Sequence, residues 1–171
     1  MTPMYVAVSG APGSGKTTLA CALAAELGLP LLSKDTIKDA LLDVLGAADV
    51  AESRRVGRAA IAAMLAVAVD ARAAVLESVW RPDVSRDDLA GLPGPVVEVA
   101  CSCPAELAKR RYPARAATRR AGHFDGERLA DDLWEPGGTA PIGGPWPLLT
   151  VDTTTPVPVG PLAARIRHAV R

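Results

Sequence analysis

Aromatic residues are scarce in this chain: one Phe, two Tyr and three Trp make up 4% of 171 residues. A core must therefore be aliphatic, and an extended groove that stacks the bases of a single strand is disfavoured. Net charge is missing as well. Lysine plus arginine and aspartate plus glutamate number 19 each, so no global field draws the protein to nucleic acid or to an anionic membrane. The three cysteines, an odd count, do not form a disulfide framework. Cys101 and Cys103 have no partner cysteine or histidine pair at zinc spacing, which argues against a metal cage. No apolar run reaches the roughly 18 residues of a membrane span, and no basic flank precedes an apolar signal core. The expectation is a soluble, cytoplasmic protein with no membrane partner.

What is present reads as one globular domain, residues 1–171, with hydrophobic residues at 49% and charged residues at 22%. Tyr5 to Ser9 is a short apolar run ending in glycine, a buried parallel strand. Leu19, Ala20, Leu23, Ala24 and Leu27 then recur at helical spacing until Gly28. A second strand is expected at Pro30–Leu32, and a helix at Asp35–Leu45 with Ile37, Leu41, Leu42 and Leu45 on its inner face. A long Ala-rich helix follows from about Val50 to Arg72. Further strands are expected at Ala74–Glu77, Val96–Cys101 and Leu148–Asp152, and a closing helix at Pro161–Val170. A basic helical stretch covers Pro104–Gly122 and a short helix Gly126–Trp134. The pattern predicts an α/β three-layer sandwich: a five-stranded parallel sheet, helices on both faces, ligands at the carboxyl ends of the strands.

Gly10, Ala11, Pro12, Gly13, Ser14, Gly15, Lys16 and Thr17 form a complete phosphate-binding loop between strand and helix, with Thr18 next in line. The glycines let backbone N–H groups wrap around phosphate oxygens, and the helix that follows turns its positive end to the same anion. Lys16 is expected to reach the β- and γ-phosphates and Thr17 to ligate magnesium through its hydroxyl. The motif names a nucleotide but not a reaction. The guanine-reading Asn-Lys-x-Asp pattern is absent, which leans toward ATP.

An acceptor side is suggested by Asp35, just beyond the second strand. A carboxylate there can take the proton of an attacking hydroxyl, or it can simply cap the helix, with Ser33 or Thr36 sharing the task; the local sequence leaves both readings open. Lys38, one turn on, can face the same cleft and hold a substrate anion.

Gly10–Thr17 followed by Lys34-Asp35-x-x-Lys38 resembles the small P-loop kinases grouped around polynucleotide 5'-kinase, chloramphenicol phosphotransferase and zeta toxin. The likeness covers most of the chain, in the order phosphate loop, aspartate, third-strand acid, arginine-rich lid and C-terminal strand. It implies an adenylate-kinase-like fold and makes Asp35 the general base. Polynucleotide kinases carry arginines where Lys34 and Lys38 stand. Lysine lacks arginine's bidentate fork to phosphate, so a nucleic-acid acceptor is disfavoured, though not forbidden, relative to a small molecule.

Glu77 ends the third strand and can bind magnesium through water or the substrate hydroxyl. Between Pro104 and Gly122 stand six basic residues against one acid; Arg111, Arg115 and Arg119 share one stripe. The resemblance makes this a lid, about residues 104–134, whose Arg111 and Arg115 neutralise charge on the transferring group. Arg120 and His123 are weaker candidates. Residues 135–147, with four glycines and four prolines among thirteen, form either a substrate-covering loop or a rigid connector. By analogy Asp152–Thr155 help to seat the base, and Trp134 and Trp146 are more simply packing anchors than stacking rings.

The sum is an ATP-dependent phosphotransferase, a kinase binding ATP and magnesium and acting on a hydroxyl of a small molecule. A polynucleotide 5'-hydroxyl kinase and a regulatory ATP-binding protein without an acceptor are the alternatives.

Overall fold

The computed structural model describes residues 3–116 and 140–170, the side chains of 113–116 apart. Five strands alternate with helices: β1 (Met4–Ser9), α1 (Lys16–Leu27), β2 (Leu31–Ser33), α2 (Lys34–Leu45), α3 (Val50–Ala71), β3 (Ala73–Glu77), α4 (Pro82–Ala90), β4 (Val96–Ser102), α5 (Ala105–Ala116), β5 (Leu148–Asp152) and α6 (Val159–Ala169). The strands pair in parallel in the order β2-β3-β1-β4-β5. The chain runs from β1 outward to β2 and back through β3, then crosses to β4 and β5. Strand order therefore reverses beside β1, where an open parallel sheet offers its ligand crevice.

Alternate side chains of the central strands feed two cores. Val6 and Val8 of β1, Val75 of β3 and Val97, Val99 and Cys101 of β4 pack with Leu19 and Leu23 of α1 and Leu162 and Ile166 of α6. The opposite face, with Tyr5, Ala7, Ala74 and Leu76, meets Met64 and Ala68 of α3, Leu89 of α4, Trp80 and Ile142. This is the expected three-layer sandwich with an aliphatic interior. The long Ala-rich α3 is started by Asp49, whose carboxylate accepts from the Glu52 N–H at 2.8 Å, while Glu52 accepts from the Ala48 N–H at 2.8 Å. The first bond satisfies a donor that the helix start leaves open, and the second ties the residue before the cap to the same turn.

Several local expectations shift. β2 and α2 meet without a break at Ser33 and Lys34, one residue from the expected limits of each, and α6 starts at Val159. Leu45, expected inside, is 66% exposed, because the last turn of α2 overhangs the core that Leu42 reaches. Helix α4 has no counterpart in the sequence reading. Pro82 in its first turn and Asp83 behind it were its signals, but only Leu89 carries an apolar anchor into the core. The short helix expected at 126–134 lies outside the described residues. No helix among the described residues is long and apolar enough to cross a membrane.

Candidate active site

The glycine-rich loop leaves the carboxyl end of β1, the central strand, and enters α1 at Lys16. Its middle is packed from two sides. A Cβ on Gly13, whose φ is +79°, would stand 2.9 Å from the carbonyl carbon of Ala108 in α5. Across the loop, Thr153 Oγ1 lies 2.6 Å from the Ser14 carbonyl oxygen and 3.0 Å from that of Ser102. The loop is thus wedged between the start of α5 and the turn after β5, with its N–H groups backed by the positive end of α1.

Lys16 is 2% exposed and donates to the Ala11 carbonyl at 3.4 Å, folding over the loop. Thr17 donates through Oγ1 to Glu77 Oε1 at 3.0 Å, and Ser33 donates through Oγ to Glu77 Oε2 at 2.7 Å. Glu77 is not a strand-end carboxylate in solvent. It is 1% exposed and joins the first turn of α1 to the end of β2. This link spans 60 residues on one side and 44 on the other, which is why no local pattern announces it.

Asp35 follows two residues after Ser33, in the first turn of α2. Ser33 holds the capping position, yet its side chain makes no capping bond; its hydroxyl serves Glu77 instead. Asp35 is therefore not the cap. Lys34 pairs with it, Nζ standing 3.1 Å from Oδ1, the two side chains 20% and 23% exposed. Lys38 is 1% exposed; it donates to Ser53 Oγ at 2.7 Å and ties α2 to α3.

Arg111 stands on the opposite flank. Its guanidinium donates to the carbonyls of Thr153 and Thr154, each at 3.2 Å, and Nη1 lies 3.9 Å from where a Cβ on Gly15 would sit. The sheet order explains the layout: β2 and β5 are opposite edges, so the loop on β1 has Asp35 to one side and Arg111 to the other. The side chain of Arg115, together with Arg119, Arg120, His123 and Trp134, lies outside the described residues, as does most of the expected lid.

Below the loop lie residues that the sequence reading passed over. Ser9 donates through Oγ to Glu98 Oε1 at 2.8 Å. The same carboxylate accepts from the N–H groups of Ile142 at 2.7 Å and Gly143 at 3.2 Å, and from Trp146 Nε1 at 3.4 Å. Arg86 donates to the Ile142 carbonyl at 3.1 Å. The described part of the Pro/Gly segment, 140–147, is accordingly a fixed connector, and Trp146 is one of its anchors. The available signal was Glu98 itself, one charge inside the otherwise apolar Val96–Cys101. Trp80 supports the same strand end, donating through Nε1 to the Val8 carbonyl at 3.1 Å. Cys101, beside the loop, is inert: burial pushes its thiol up to about 12 against the opposing pull of Lys16.

A phosphate-binding loop rising from the middle strand of a 2-3-1-4-5 parallel sheet defines a P-loop nucleotide-binding protein with the fold of the small P-loop kinases. More narrowly, the chain belongs to the family described as the AAA domain, whose pattern matches residues 6–132. It is similar over its whole length to a candidate kinase from Chloroflexus aurantiacus j-10-fl, at 31% identity with 100% of both chains covered and a TM-score of 0.83. The fold recurs in the shikimate kinase of Acinetobacter baumannii solved with shikimate, at 18% identity, 98% and 92% coverage and a TM-score of 0.58. It recurs also in the APS kinase of Mycobacterium tuberculosis solved with AMPPNP and APS, at 19% identity, 98% and 99% coverage and a TM-score of 0.61. No curated protein matches the sequence.

Proposed function

We propose that this protein is a small-molecule kinase that transfers the γ-phosphoryl group of ATP to an acceptor hydroxyl, with Asp35 as general base and the whole chain acting as one domain. The observation that carries the reading is the Glu77 carboxylate held between Thr17 and Ser33. It fixes the donor loop and the acceptor-side turn, two residues before Asp35, in one rigid arrangement.

Phosphoryl transfer needs little from the protein beyond positioning and charge stabilisation. The loop N–H groups and Lys16 hold the β- and γ-phosphates. The oxygens of Thr17 and Glu77, 3.0 Å apart, fit a hard cation. They would hold magnesium, which would supply neutralisation of phosphate charge. Asp35 receives the proton of the acceptor hydroxyl, and the 3.1 Å contact with Lys34 orients its carboxylate. Arg111, braced on the Thr153 and Thr154 carbonyls, belongs to the nucleotide end, and the family resemblance assigns Arg115 to the same charge neutralisation. The known folds with small alcohol acceptors, shikimate among them, support an acceptor of similar size.

The test is a panel of small alcohols with γ-labelled ATP, scored for transfer above hydrolysis. Asp35→Asn should lower transfer by about 10²–10⁴-fold and leave ATP affinity intact, whereas Lys16→Ala should weaken ATP binding itself. Transfer that is indifferent to Asp35→Asn removes the mechanism. Nucleotide binding with no acceptor in the panel would favour a regulatory ATP-binding protein.

A further inference from the structure

We infer that Ser9 and Glu98 are positioning residues of the phosphate loop, registering its first glycine against β4; the inference rests on the nucleotide-binding part of the function proposed above. The two side chains lie on one face of the sheet, in diagonal positions of adjacent strands: Ser9 pairs with Ala100 and Ala7 with Glu98. Neighbours so placed are within reach of a long side chain, and the 2.8 Å bond from Ser9 Oγ to Glu98 Oε1 closes the gap.

Three features show that this bond has a positional effect. Ser9 is the residue immediately before Gly10, so fixing its side chain fixes the plane from which the loop departs. Gly10 then has no slack: its φ is +143°, and a Cβ there would stand 2.6 Å from Ser14 Oγ and 2.8 Å from the Cys101 carbonyl oxygen. Finally, Glu98 is itself immobilised. It is fully buried and its two oxygens accept from Ile142, Gly143 and Trp146 as well as from Ser9. A carboxylate with four converging donors and no freedom to rotate is a fixed post. Through it the connector that leads into β5 and the last residue of β1 share one anchor. The Trp80 bond to the Val8 carbonyl holds the preceding residue from the same face.

A hydroxyl that only filled space would matter to stability alone, whereas a positioning hydroxyl must affect the phosphates more than the rest of the nucleotide. Calorimetric titration of wild type, Ser9→Ala and Glu98→Gln with MgADP and separately with AMP divides the two cases. Ser9→Ala removes one bond and leaves Glu98 three donors, so the fold persists. It is expected to weaken MgADP binding about tenfold and to leave AMP binding unchanged. In Glu98→Gln the amide oxygen can keep Ser9 and Ile142, while its NH2 faces the N–H groups of Gly143 and Trp146. That variant should melt lower than Ser9→Ala yet retain more of the MgADP affinity. Equal MgADP affinity in wild type and Ser9→Ala, or an equal loss for MgADP and AMP, overturns the inference and leaves the nucleotide site standing. A wild-type protein that binds no MgADP removes that site, and this inference with it.

Discussion

Gly13 offers the sharpest quantitative test of how the phosphate loop is held. Two separate costs meet in Gly13→Ala. At φ +79° an L side chain is strained by about 1–2 kcal/mol. The new Cβ also meets the backbone of Ala108, 2.9 Å from its carbonyl carbon, and forcing such a contact costs about 1–3 kcal/mol more because a helix backbone must move. The total of about 2–5 kcal/mol corresponds to a fall in Tm of about 4–20 °C in a domain of this size. Gly28→Ala is the matched control: its φ is +67° but nothing lies within 4 Å of the added Cβ, so only the strain of about 1–2 kcal/mol applies. Thermal melting of both variants, with MgADP titration of each, separates strain from collision. Gly13→Ala should melt below Gly28→Ala and lose most of its MgADP affinity, while Gly28→Ala binds as wild type. Equal melting of the two variants would refute the packing of the loop against α5.

Thiol labelling checks the surroundings of the loop. Cys21 is exposed, Cys103 is half-buried and Cys101 is buried, and with the Cys101 thiol near 12 only about one molecule in ten thousand carries its thiolate at pH 8. Cys21 should react first and Cys101 only on unfolding; a Cys101 rate within tenfold of that of Cys21 would contradict the burial. At the end of β5, hydrogen bonds from the Thr154 side chain and backbone N–H hold the Asp152 carboxyl below its ordinary value. A depressed carboxylate contributes stability above the ordinary value and loses it as pH falls through the lower folded one. An NMR titration should therefore find Asp152 low in wild type and higher in Thr154→Ala, where the side-chain bond is gone.

The helix and strand pattern was largely readable because it rests on near neighbours. Leu19 and Leu23 repeat at helical spacing, and short valine-rich runs bounded by glycine and proline mark buried parallel strands. The failures have the same origin. Helix α4 presents too few apolar residues to announce itself. Leu45 continues the periodic face of α2 beyond the end of the core, and periodicity does not say where a neighbour stops. The bond from Lys38 to Ser53, fifteen residues on, likewise has no signal near it in sequence.

The phosphate loop was determined by the sequence alone, since eight consecutive residues carry the glycines, the lysine and the hydroxyl, and the chemistry of the loop is mostly backbone. Asp35 was locatable for a related reason: it stands two residues beyond a strand whose carboxyl end must share a rim with the loop. Only the tertiary structure decided that Glu77 joins Thr17 to Ser33, that Arg111 is braced on the turn after β5, and that Glu98 holds Ser9. Each of those bonds joins residues more than 40 positions apart. A parallel sheet brings together strand ends that the chain separates by whole crossovers, and the sequence shows the strands without showing which side chains then meet.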